Sequence, residues 1–178
     1  AESPDPPRAP GKPPPEMELA CADITKALVE HMNTTFDSYV EDFMNKTKVC
    51  TRDWPSQECH DVLQGVLVNI TFRSLWIGVK VTAGPFAPLL WPFQSAALRL
   101  TAPHLAELLG PTATDLQRDV LEENPDFRGG EEGVAQVVEV LERDKNKVMQ
   151  HVGDNCGPLC DDVNSIVEEI PDKIPSWS

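Results

Sequence analysis

Between Leu19 and Met44 the apolar positions Cys21, Ile24, Leu28, Met32, Phe36, Tyr39 and Phe43 advance by three or four residues. At roughly 100° per residue that step keeps them on one stripe, so the spacing predicts an amphipathic helix of six or seven turns. A polar stretch, 45–58, follows, carrying Cys50, Trp54-Pro55 and the approach to Cys59. Ser56 is placed to cap a short helix through Gly65. The next two runs, Val66–Phe72 and Leu75–Thr82, are β-branched and alternating, which predicts two short strands joined at Arg73-Ser74. The joint lacks the Gly or Asn of a tight hairpin, and periodicity alone also admits a helix there.

Downstream the chain is punctuated. A proline-rich apolar loop, 84–92, leads into a short helical piece, Phe93–Leu100. Leu105, Leu108 and Leu109 then form a face that Gly110-Pro111 should stop. Thr114 and Gln117 fit a capping box for a helix carrying Leu116, Val120 and Leu121, halted at Asn124-Pro125. After Gly129-Gly130, the positions Val134, Val138, Leu141, Val148 and Val152 predict a helix over Glu131–Val152. Val163, Ile166, Val167 and Ile170 predict a last one over 161–170. The expected fold is therefore mainly α: a small disulfide-linked helical domain over 17–178, with a short two-stranded β element in its middle. The seven prolines of residues 1–16 read as an extended or disordered spacer before it.

Composition narrows the class. Among 178 residues there are 29 acidic and 15 basic side chains, a net charge of -14 that repels phosphate backbones and anionic lipid heads and excludes nucleic-acid binding. The charge is uneven, since residues 61–100 carry one acid and three bases. That middle also holds Trp76 and Trp91, with Phe72, Phe86 and Phe93. The run Val81–Leu98 has no charge at all, but Pro85, Pro88 and Pro92 would leave helical carbonyls unpaired in lipid, so no transmembrane helix is expected there.

The sequons Asn33-Thr34-Thr35, Asn45-Lys46-Thr47 and Asn69-Ile70-Thr71 point to N-glycosylation in the secretory pathway. Asn33 and Asn45 fall off the apolar stripe of the first helix, and Asn69 lies on the outer face of its strand. The opening Ala1-Glu2-Ser3-Pro4 fits a mature chain after removal of a signal peptide, and an ectodomain's anchor would follow Ser178. Cys21, Cys50, Cys59, Cys156 and Cys160 allow two bridges and one odd thiol. One bridge is expected among Cys21, Cys50 and Cys59. The other should hold the Cys156–Cys160 loop, either within itself or back to that cluster. An exposed odd thiol would permit a covalent dimer; the alternative is a buried unpaired cysteine.

Searches for chemistry find no zincin, hydrolase-elbow, Walker or dinucleotide motif, and the histidines are far apart in sequence. No catalytic residue, metal site or cofactor is predicted. The expectation is a non-enzymatic secreted or ectodomain glycoprotein, a receptor-associated ectodomain or cytokine-like ligand, that binds another extracellular or membrane protein. Trp76, Phe86, Leu89, Leu90 and Trp91 would be its apolar anchor. The alternative is an extracellular carrier whose apolar middle encloses a lipid or other hydrophobic small molecule.

Overall fold

A computed structural model describes residues 19–46 and 56–169, and every element among them is helical. The helices are α1 (Cys21–Lys46), α2 (Gln57–Ala83), the single turn α3 (Ala87–Leu90), α4 (Gln94–Glu123), α5 (Gly130–Asp154) and α6 (Gly157–Glu169). The proline-rich 1–16 segment, Cys50, Trp54 and Ile170 lie outside the described residues.

Helix α1 forms as its stripe predicts. Ile24, Leu28, Met32, Phe36 and Val40 are buried, and Tyr39 is half-buried. Across α1 and α2, Gly78 meets Ile24 and Leu28, and His31 Nδ1 lies 3.1 Å from Ser74 Oγ. The Arg73 guanidinium sits 5.6 Å from the Tyr39 ring centroid. Numbers fall on one helix as they rise on the other, so the two run antiparallel. The same test makes α2 antiparallel to α4 through Gln64–Ala106 and His60–Thr114, with Nε2 of His60 2.9 Å from the hydroxyl. It makes α4 antiparallel to α5 through His151–Leu108 and Arg143–Glu123. It also makes α5 antiparallel to α1 through Lys145–Asp37 and the approach of Gly153 to Val29 and Thr25. The four long helices thus close an up-down-up-down bundle. Helix α6 lies against α4 and α1 near the end where α2 turns into α4, where Asn164 Nδ2 donates to the Leu19 carbonyl.

The two expected strands do not form: residues 66–82 belong to one continuous helix, and no strand occurs among the described residues. Ser56 does cap it, its Oγ accepting from Cys59 N–H at 3.1 Å, but the helix runs on past Gly65 to Ala83. The buried set Cys59, Leu63, Val66, Leu67, Ile70, Thr71, Ser74, Leu75, Gly78 steps by three and four. A second stripe, Phe72, Trp76, Val79 and Ala83, is buried as well. A helix covered on two sides is apolar nearly all round, and over a short run that imitates strand alternation. Burial in the bundle then outweighs the small helix penalty of its β-branched residues.

Gly110-Pro111 does not stop a helix either; α4 passes through both Pro103 and Pro111. A proline removes one helical N–H and crowds the preceding turn, exposing carbonyls that need other donors. Pro111 takes the helical donor from the Glu107 carbonyl, and neighbouring helices supply donors to the carbonyls on either side of it. Gln64 Nε2 donates to the Ala106 carbonyl at 2.9 Å, while His151 Nε2 lies 3.1 Å from the Leu108 carbonyl and His60 Nε2 lies 3.2 Å from that of Gly110. The stop at Asn124 is as expected, and α5 and α6 match their predicted segments to within a few residues.

Cys21, at the start of α1, is bridged to Cys160 in α6, with Cα atoms 5.5 Å apart. Of the two alternatives for the 156–160 loop, this is the link back to the first cysteine cluster and not a bridge within the loop. Cys59 is also disulfide-bonded, and Cys50 lies outside the described residues. The odd thiol is Cys156, and it is buried. Burial raises its pKa, and a hydrogen bond with Thr25 only partly opposes this. An inward thiol with that environment is a poor nucleophile, contrary to the exposed sulfur that a covalent dimer requires.

Candidate binding apex

The corner joining α2 to α4 is built by three prolines at regular intervals. Helix α2 ends where Gly84 takes φ 58°, ψ -122°, a backbone that side-chain-bearing residues avoid, and its N–H returns to the carbonyls of Lys80 and Val81. Pro85, Pro88 and Pro92 then each open a single turn: a 3₁₀ turn over Gly84–Phe86, α3, and a 3₁₀ turn over Trp91–Phe93. Proline is tolerated at the start of a turn because it lacks only an N–H that would be unpaired there. Repeating it forces the chain to restart, producing a compact corner instead of a continuous helix.

This corner divides the expected anchor residues. Trp76 is 3% exposed and Leu90 1% exposed, so both belong to the core. Trp76 stacks on Phe72, their ring centroids 6.3 Å apart. Phe86 and Leu89 are half-buried, Phe86 packing against the core. Trp91 alone among the five projects outward, with 67% exposure. It is joined by Val81, 65% exposed, and by the outward-facing Pro85, Pro88 and Pro92. Lys80 Nζ sits 5.8 Å from the Trp91 ring centroid, a cation–π approach that holds the indole against the end of α2. Farther along α4, Leu98 and Leu100 are also exposed. Val81 is not among the expected anchor residues, and the prolines are expected there only as helix breakers. The signal for them is the uncharged run 81–98, bracketed by Lys80 and Arg99.

The sequons sit away from this apex, toward the middle and far end of the bundle. Asn33 and Asn69 are both exposed, the latter on a helix and not on a strand face. Asn45 is in α1, but its side chain is outside the described set. The helical run Gln57–Glu123 is by length and composition apolar enough to cross a membrane; 61% of its most apolar stretch is buried inside the protein, as in a core hairpin.

Polar grooves elsewhere hold little chemistry. The four histidines mostly stitch helices together: His31 to Ser74, His60 to Thr114, His151 to Leu108, and His104 to Asp162 at 2.5 Å. His104 and His151 border one surface groove of about 360 Å³ with Glu107 and Asn155. No group of three or more His, Cys, Asp or Glu that could hold a metal ion occurs among the described residues.

A second groove of about 360 Å³ runs between α4 and α5 past Asp115, Asp119 and Asp144. Loss of solvation, followed by the hydrogen bond and the charge of Asp144, raises the Asp119 pKa above the usual 3.8; Lys147 and Arg118 oppose the shift. On acidification the folded state therefore takes up this proton before the unfolded chain does. Its contribution to stability should rise as pH falls from the raised value toward 3.8. Asp119→Asn is expected to melt higher than wild type at pH 7 and to lose that part of the pH dependence. Parallel thermal melts across the acid range check both outcomes.

No protein-family model matches the chain, and neither a curated protein nor a solved structure matches it.

Proposed function

We propose that the protein is a non-enzymatic secreted or ectodomain glycoprotein that works by binding, with the α2–α4 corner as its contact surface. The observation that carries this reading is Trp91, two-thirds exposed with Lys80 against its ring, on a corner that also exposes Val81 and has no charged side chain from 81 to 98. Soluble proteins rarely leave a tryptophan and its apolar neighbours in water without a use for them, because covering such a patch is favourable. Tryptophan is also the side chain most often found at the energetic centre of an interface.

Three further features support it. The exposed asparagines Asn33 and Asn69 lie away from the corner, so sugars on them would leave it uncovered, although Ile70 and Thr71 of the Asn69 sequon are buried. The Cys21–Cys160 bridge suits an oxidising compartment. The histidines are engaged in holding helices, which leaves little for an enzyme to use. The carrier alternative, in which the apolar middle encloses a cavity, has less support, since Trp76 and Leu90 of that middle are packed in the core.

Glycosylated protein from a eukaryotic host should bind saturably to the outside of intact cells. Trp91→Asp should weaken that binding roughly tenfold or more, while melting like wild type. Equal binding by the variant, or no saturable binding by wild type, would refute the proposal.

A further inference from the structure

We infer that the partner of the apex is a lipid surface: the corner lodges at the boundary between headgroups and acyl chains, with Trp91, Val81 and the prolines immersed and Lys80 beside the phosphates. This rests on the reading of the corner as the binding surface and adds the chemistry of what it binds.

Charge supplies the first argument. All 29 carboxylates lie outside residues 62–106, a stretch that carries Arg73, Lys80 and Arg99. The corner itself, at the middle of that stretch, bears no carboxylate, while Asp23 in the first turn of α1 and Glu168 and Glu169 at the close of α6 lie toward the same end of the bundle. Lys80 lies over the Trp91 ring, and Arg99 follows the uncharged run on its other side. Glu169 lines the shallow groove that Arg99 and Leu100 share and offsets part of Arg99's charge, so Lys80 is the principal cation of the apex. An amphipathic ring at headgroup depth with a cation alongside is the arrangement that anchors proteins at membrane interfaces.

Hydrogen bonding supplies the second. A protein partner normally forms about one hydrogen bond per 100–200 Å² of interface. From Val81 to Leu98 the only polar side chains besides the Trp91 indole N–H are Thr82, Gln94 and Ser95, and three of the residues are prolines without an N–H. Such a surface can exclude water but offers little for specific polar recognition. Lipid asks for no such partners.

The test uses the full glycosylated chain and two vesicle types, phosphatidylcholine alone and phosphatidylcholine with phosphatidylserine. Wild type should float with both, and lipids brominated near the headgroup should quench a fluorescence component that is missing in Trp91→Phe. Trp91→Asp should lower vesicle partitioning roughly tenfold or more without changing the melting temperature. Lys80→Gln should lower it about fivefold on the anionic vesicles and little on the neutral ones. Absence of flotation, or flotation with quenching that Trp91→Phe leaves unchanged, would overturn the inference. Trp91-dependent binding to cells that is destroyed by prior protease treatment of those cells, without vesicle binding, would overturn the lipid assignment and leave the binding apex standing. Failure to bind either cells or vesicles would overturn both.

Discussion

Gly78→Ala is expected to destabilise the protein by about 3 kcal/mol, whereas Gly65→Ala, on the same helix, should stabilise it by about 0.5–1 kcal/mol. Alanine normally improves a helix interior, because glycine gives up more backbone freedom on folding. A Cβ on Gly65 meets nothing within 4 Å and should show that gain. A Cβ on Gly78 would stand 2.7 Å from the Ile24 carbonyl oxygen and 3.2 Å from the Leu28 nitrogen. Both atoms are backbone of α1, so relief requires the two helices to separate along their most extensive contact. That separation would loosen Ile24, Leu28 and Leu75, all fully buried at this crossing. Chemical denaturation of the two single variants beside wild type checks the sign as well as the size.

The second large effect concerns the Cys21–Cys160 bridge. It joins positions 139 residues apart, and the chain-entropy model gives about 5 kcal/mol for a loop of that order, with measured losses of roughly 2–5 kcal/mol in small domains. Little else fastens the start of α1 to α6: a Leu19 carbonyl contact with Asn164 and limited helix packing. The double variant Cys21→Ser/Cys160→Ser should therefore melt roughly 10 °C lower, at about 2–4 °C per kcal/mol. Because Cys156 is buried, the double variant should also remain monomeric on a non-reducing gel. A melting temperature equal to wild type would mean that the bridge contributes nothing to the native state.

Much of this fold is legible where one helix face meets water. The stripe Ile24, Leu28, Met32, Phe36 declares α1, and Val148 and Val152 do the same for α5, because polar residues on the opposite side give the period contrast. Legibility fails where that contrast disappears. Helix α2 is apolar on two sides, so Val66, Val68, Ile70 and Phe72 alternate by accident of composition, and the wider spacing from Cys59 through Leu63, Ile70, Ser74 and Gly78 is needed to find its true period. The stop expected at Gly110-Pro111 fails for a different reason. Its rescue comes from Gln64, His60 and His151, which are distant in sequence and brought in by the bundle.

The apex is half legible. Its position, between Lys80 and Arg99, is marked by missing charge and repeated proline. Which of its apolar residues face inward is not marked, because Leu90 and Trp91 are consecutive large apolar residues and only the turn geometry imposed by Pro88 and Pro92 sorts them. Val81, a β-branched residue near the end of a buried helix, gives no sign in the sequence that it faces out.

The claim on which the binding proposal and the lipid inference both depend is that consecutive residues at this corner belong to different worlds, Leu90 to the core and Trp91 to the surface. Thermal and chemical melts of Leu90→Ala and Trp91→Asp, each measured beside wild type, test it most directly. Leu90→Ala should lose about 2–5 kcal/mol, and Trp91→Asp should stay within about 0.5 kcal/mol of wild type. Comparable destabilisation by the two would place Trp91 in the core and contradict the account.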